Sequence, residues 1–301
     1  MIEIHELCKN YGQVKAIRSV DLTIRDQQIF GLVGANGAGK STLLGLLSDV
    51  LEPDSGWIHI DGQPIRDNVE VKQELFYIPD EAYYFPSSTI AQMADYLEGF
   101  YPAFDSEKLN HFLDFFELDP NRSISTYSKG TRKQLFILIG LSAGAHYLVL
   151  DETFDGLDVF VRQGIKALIR KEVKERGLTA VIASHNLSEV DDVCSHLCIL
   201  HEGKVLISQD GISKTKTIQK VQCIFKKDED RELVEDRLKI RRHTKQGSMH
   251  IFIADGSRES VETVFREADP LFYEFLNLSL EEIFFTRTEE EGYDIRRYTK
   301  L

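Results

Sequence analysis

The stretch Gly34-Ala35-Asn36-Gly37-Ala38-Gly39-Lys40-Ser41-Thr42 leaves this chain few folding options. An apolar run, Ile29 to Val33, precedes it, and Leu43, Leu44, Leu46 and Leu47 follow at helical spacing. The order is therefore strand, glycine loop, helix. It fits the pattern G-x-x-x-x-G-K-[ST], in which backbone N–H groups turn inward around nucleotide phosphates. Gly34, Gly37 and Gly39 permit positive φ or close approach, and Lys40 places a cation at the β/γ-phosphates. The Ser41 hydroxyl can ligate Mg²⁺, Asn36 and Thr42 complete the binding set, and the helix N-terminus adds partial positive charge. A plain glycine-rich turn would need neither the Lys-Ser-Thr ending nor these flanks.

A chain of 301 residues, 42% hydrophobic and 28% charged, can bury one large or two ordinary cores. A formal charge of −13 argues against a protein built to grip nucleic acid. The charge is uneven: 19 basic against 31 acidic residues in 1–210, and 17 against 18 in 211–301. A domain boundary near 210 is therefore expected. The N-terminus lacks the basic start and apolar core of a secretory signal, so a cytoplasmic location is expected. The longest apolar stretch, Leu135 to Leu150, is interrupted by Ser142 and His146 and falls short of the roughly 20 residues of a membrane span. Four scattered cysteines fit a reducing compartment. Cys194, His196 and Cys198 could be ligands, but no second ligand pair stands nearby and buried thiols are the plainer reading.

Residues 2–7 and 20–25 alternate as antiparallel strands do, with Tyr11-Gly12 in the turn between them. Tyr11 could stack on a base or simply cover a sheet edge. From Ser87 to Leu118 the spacing is helical, broken at Tyr101-Pro102 and dense in aromatic residues, some of which could form a partner surface. Ser128 is placed as an N-cap before an apolar helix. Tyr147-Leu148-Val149-Leu150 reads as a buried parallel strand ending in Asp151-Glu152, two carboxylates that are costly there without cationic or proton-transfer work. A strand from Thr179 to Ala183 follows, with Ser184-His185-Asn186 at its carboxyl end.

Taken in order, these motifs resemble those of the nucleotide-binding subunit of ABC transporters, over roughly residues 1–210. The resemblance makes Gly34 to Thr42 Walker A and Leu148 to Asp151 Walker B. It implies Mg²⁺ held by Ser41 and Asp151, Glu152 as general base, His185 as the switch histidine at the γ-phosphate, and Tyr11 as the adenine-stacking aromatic. Lys40, Ser41, Mg²⁺ and Asp151 would form one electrostatic unit for phosphoryl transfer. Tyr127-Ser128-Lys129-Gly130-Thr131 matches the signature, and Asp158 the D-loop aspartate. Both imply a dimer, homo- or heteromeric, in which Ser128 and Gly130 serve the ATP held by a second ATP-binding subunit. Two positions depart from the family pattern. Lys129 stands where the signature has glycine, and Asp80 where the Q-loop has glutamine; Asp80 could approach Mg²⁺ or lie in a surface turn.

The implied fold is α/β: a P-loop NTPase core of ABC type with an antiparallel β subdomain and a helical subdomain at about 83–142. Residues 211–301 read separately. Strands near 221–225, 239–244, 249–253 and 272–276 alternate with helices at 229–238 and 257–268, a small α+β domain of ferredoxin-like order, followed by a helix from Leu280 to Phe285. Its basic run, Arg237 to Lys245, could meet headgroups or an acidic partner, or be a solvated strand face. The ending Ser279 to Phe285 resembles exporter-type subunits, including bacitracin-type ones. The expectation is an ATPase that powers a separate transmembrane permease, peripheral on the cytoplasmic face, with no nucleic acid partner. The alternatives are a soluble ABC ATPase acting on ribosomes or DNA, and a non-hydrolysing ATP-binding regulator. One Walker A and no sustained heptads disfavour the first, and intact Glu152 and His185 the second.

Overall fold

In a computed structural model, residues 1–186, 189–190, 192–207, 218–278 and 282 are described. The chain divides into two compact units, Met1–Ser208 and Gln209–Leu301.

The first unit opens with a hairpin, β1 (Ile2–Tyr11) and β2 (Val14–Ile24), longer than the alternation alone predicts because its bulges break the period of two. Then β3 (Ile29–Val33) feeds the glycine loop and α1 (Lys40–Leu47). Next come β4 (Ser55–Ile60), β5 (Gln63–Pro64), α2 (Val69–Gln73) and β6 (Leu75–Ile78). The helical segment contains α3 (Ile90–Glu98), started by a Thr89/Gln92 capping box, and α4 (Ser106–Phe115), capped by Asp105. A 3₁₀ turn at Ile124–Thr126 leads to α5 (Lys129–Ser142). The unit continues with β7 (Tyr147–Asp151), α6 (Val159–Arg176), β8 (Thr179–Ser184), β9 (His196–His201) and β10 (Lys204–Ile207).

Two sheets result. The antiparallel one runs β2-β1-β4-β5, and the larger runs β10-β9-β3-β8-β7-β6, parallel except for the β9–β10 hairpin. The strands β3, β7 and β8 are buried along their whole length, which is why they read as continuous apolar runs. Leu43, Leu44, Leu46 and Leu47 of α1 share one core with Ile2, Leu7, Ile17 and Ile24 of the antiparallel sheet and with Val149 and Val181 of the larger sheet. The helix that starts at the glycine loop is thus wedged between both sheets. Register does the rest: Val33 pairs with Ser184 and Asp151 with Ala183, so the carboxyl ends of β3, β7 and β8 lie level. In an open α/β sheet that edge is where ligands bind.

The second unit holds β11 (Ile218–Ile224), α7 (Asp228–Arg237), β12 (Ile240–Gln246), β13 (Met249–Asp255), α8 (Arg258–Glu267) and β14 (Phe272–Leu276). Its sheet is wholly antiparallel in the order β12-β13-β11-β14. The first and third strands are central, as a split βαβ arrangement requires. Val221, Phe252, Val234 and Phe265 join sheet and helices in one core. The helix expected at Leu280 to Phe285 lies outside the described residues except for Glu282.

Candidate nucleotide site

Gly39 caps α1 at φ 108°, in the left-handed region that side chains avoid, and a Cβ there would sit 2.6 Å from the Ala16 carbonyl oxygen. This turn lets the loop wrap the Lys40 side chain, which is only 5% exposed. Its ammonium donates to the carbonyls of Gly34 at 2.8 Å and Ala35 at 3.2 Å, and pairs with Glu152 Oε1 at 3.1 Å. A cavity of about 670 Å³ opens over the loop. Of the residues singled out by sequence, Tyr11, Asn36, Gly37, Gly39, Lys40, Ser41, Thr42, Asp80, Glu152 and His185 line it. Gly34, Asp151, Ser128, Gly130 and Asp158 do not. Gly34 acts through its carbonyl, on Lys40.

Glu152 stands between Lys40 and His185. Its backbone takes φ 50°, a left-handed conformation that costs a non-glycine residue about 1 kcal/mol or more and clusters at functional sites. One carboxylate oxygen faces Lys40, while the other accepts from the His185 N–H at 3.3 Å and lies 2.8 Å from His185 Nδ1. A carboxylate, an ammonium and an imidazole therefore meet over the glycine loop.

Asp151, next to it, is 2% exposed. Burial pushes its carboxyl above the ordinary range; the Ser41 hydroxyl and Lys40 oppose this, and the charges of Glu152 and Asp80 add to it. Its Oδ1 is buried without a hydrogen-bond partner. An orphaned carboxylate oxygen beside a serine hydroxyl is a donor set that fits a hard oxygen-seeking cation. Among the described residues no group of three or more His, Cys, Asp or Glu side chains is arranged to hold a metal, the Cys194, His196 and Cys198 set included. Cys198 is fully buried, and burial pushes its thiol up to about 12.

Asp80 pairs with Lys133 at 2.6 Å and with Lys129 at 3.7 Å. Burial would raise its carboxyl, but the bond and charge of Lys133, aided by Lys129, hold it below the ordinary range. Ser128 and Gly130 do not line the cavity, although Lys129 between them approaches Asp80, which does. Ser128 caps α5, accepting from the Thr131 N–H at 3.1 Å, and is exposed. A Cβ on Gly130 would come within 2.3 Å of the Gly156 carbonyl oxygen, so glycine there allows α5 to abut the loop before α6. Asp158 caps α6 through the Phe160 N–H at 2.9 Å.

Several further residues, unmarked by any motif, belong here. Lys15, Arg18, Asp155 and Glu202 line the cavity, and Lys133 donates to the Glu152 carbonyl at 2.6 Å. Lys15 and Arg18 sit on outward positions of β2 that look like an ordinary solvated face. Lys133 stands between Arg132 and Gln134, ahead of the apolar run that begins at Leu135, and so reads as part of the solvated first turns.

The model of a known family, "ABC transporter", matches residues 17–155. The chain is 29% identical over 287 residues to the ABC transporter ATP-binding protein YtrB of Bacillus subtilis, covering 95% of this chain and 98% of that one. It is 30% identical over 212 residues to the uncharacterized ABC transporter ATP-binding protein YhaQ of the same organism, covering 69% and 70%. It is 28% identical to the bacitracin transport ATP-binding protein BcrA of Bacillus licheniformis, covering 68% of each. Among solved structures, an ATP-binding subunit of an ABC transporter superposes with a TM-score of 0.66 at 22% identity, over 71% of this chain and 92% of the other. The fold, the phosphate loop with its facing carboxylates, and these likenesses agree: the chain belongs to the ATP-binding subunits of ABC transporters, and is an ATPase of that family.

Proposed function

We propose that this subunit hydrolyses ATP with Glu152 as general base, that two ATP-binding subunits close around the nucleotides, and that the cycle drives a separate transmembrane permease, in the direction of export. The placement of Glu152 between Lys40 and His185, above the glycine loop, carries the reading. The backbone N–H groups of residues 36–42 would hold the phosphates, with Tyr11 against the base. Mg²⁺, held by Ser41 and Asp151, would neutralise charge developing on the phosphates. Glu152 would take the proton of the attacking water, and His185 would orient the γ-phosphate. The 1–210 segment would be the ATP-binding domain and 211–301 an accessory domain.

No helix among the described residues is long and apolar enough to cross a membrane, so transport needs a partner that spans one, with this chain peripheral on its cytoplasmic face. Tyr83, Phe85, Tyr96 and Phe100 form an exposed chain of edge-to-face aromatic contacts at 5.0 to 5.6 Å. Such a patch is the best-supported docking surface for the permease. Export rests on the resemblance of the ending Ser279 to Phe285 to exporter-type subunits.

The decisive variant is Glu152→Gln. Hydrolysis, followed by phosphate release, should fall by about 10²- to 10⁴-fold, while ATP binding stays at wild-type strength. Wild-type turnover in the variant defeats the general-base reading.

A further inference from the structure

Lys133 lies in the first turns of α5 with only 5% of its side chain exposed. A buried ammonium is costly unless opposite charge and hydrogen bonds surround it. Here both do: Nζ donates to the Glu152 carbonyl at 2.6 Å and pairs with Asp80 Oδ1 at 2.6 Å. Those partners follow different strands, β7 and β6. Lys129 also approaches Asp80, at 3.7 Å, but is more than half exposed and leaves Lys133 as the inner contact.

The carbonyl that Lys133 holds belongs to a residue at φ 50°. On its other side, the Glu152 N–H donates to the Ala183 carbonyl at 3.0 Å. Glu152 is thus clamped at both ends in a conformation it would not hold freely. Backbone dihedrals set the direction of Cβ, so the clamp decides where the carboxylate lies, between Lys40 and His185. Asp80 lines both the nucleotide cavity and a smaller cavity of about 210 Å³, whereas Lys133 lines only the smaller one.

We propose that Lys133 is a positioning residue for hydrolysis: it holds the Glu152 main chain so that the carboxylate meets the attacking water, and through Asp80 it ties that geometry to the 79–81 loop. The inference rests on Glu152 being the general base. Lys133 acts through Glu152 and Asp80 and does not line the nucleotide cavity itself.

The test is steady-state ATP hydrolysis by the full chain, normalised to the ATP-binding fraction, with ATP affinity measured by equilibrium dialysis. Lys133→Met should lower kcat about tenfold or more, equivalent to about 1.4 kcal/mol, with KM and ATP affinity within about twofold. Lys133→Arg, which keeps charge and donors, should recover most of the rate. In a Glu152→Gln background, Lys133→Met should add no further loss. If Lys133→Met does not fold, Lys133→Gln, neutral with a shorter donor, carries the same expectation. An unchanged kcat, a loss that falls on KM instead, or a full additional loss in the Glu152→Gln background overturns the proposal. Wild-type turnover in Glu152→Gln alone defeats the general-base reading instead, and is read from that single variant.

Discussion

Asp151 is a buried carboxylate with one unpartnered oxygen, a costly group unless a cation faces it. Its folded carboxyl keeps a proton to higher pH than the unfolded chain does, because burial disfavours the charge. Where the native state binds more protons, stability falls with rising pH. Melting temperature in the absence of Mg²⁺ should therefore decline from the ordinary carboxylate range up through the raised folded value, then level off. Mg²⁺ with ATP should restore it, most strongly above that range, since the cation selects the ionised form. Asp151→Asn should flatten the Mg²⁺-free decline and abolish the Mg²⁺ response; a variant curve parallel to wild type would show that another group carries the dependence. That Asp151 and Glu152 end a buried strand was legible from the apolar run before them. Lys133 was not, because a lysine beside Lys129 and Arg132 in the polar first turns of a helix does not reveal which carbonyl and carboxylate will lie against its ammonium.

At the scale of elements, α1 decides how firmly the glycine loop is held. Its leucines are buried on faces turned to both sheets, so the helix cannot tilt without opening a core. Leu44→Ala should cost about 2–5 kcal/mol, read as a lower urea midpoint, and should weaken ATP binding as the loop loses its anchor. A variant that loses stability yet keeps wild-type affinity would show that the loop holds its shape without the wedge. The strand-loop-helix order was legible because residue types at a glycine turn have few alternatives. That α1 lies between two sheets was not, since periodicity reports a buried face and not what covers it. The hairpin β1–β2 makes the same point: its bulges at residues such as Glu6 and Ser19, both at positive φ, break the alternation from which strand ends are read.

At the scale of the whole molecule, Ser128 and Gly130 do not line the nucleotide cavity of their own chain. If Ser128 and Gly130 serve a second subunit's ATP, variants defective in opposite halves of the composite site should complement. Ser128→Arg and Lys40→Ala, each inactive alone, should recover turnover when mixed, because one of the two sites in the mixed dimer then has an intact loop and an intact signature. No recovery on mixing, with both proteins folded, would place the complete site within one chain.

The amino-acid sequence by itself determined the chemistry available: a phosphate loop, a carboxylate pair after a buried strand, a histidine after the next strand, and the ferredoxin-like alternation of the second unit. Those features are local, and residue type plus spacing is enough to specify them. The tertiary structure alone decided which groups meet. Lys40, Glu152 and His185 are separated by long stretches of chain and converge because the parallel register sets the ends of β3, β7 and β8 level. Lys133 reaches Glu152 and Asp80 only because α5 packs beneath that edge. Long-range register and helix packing depend on the whole core being filled at once, which no window of sequence contains.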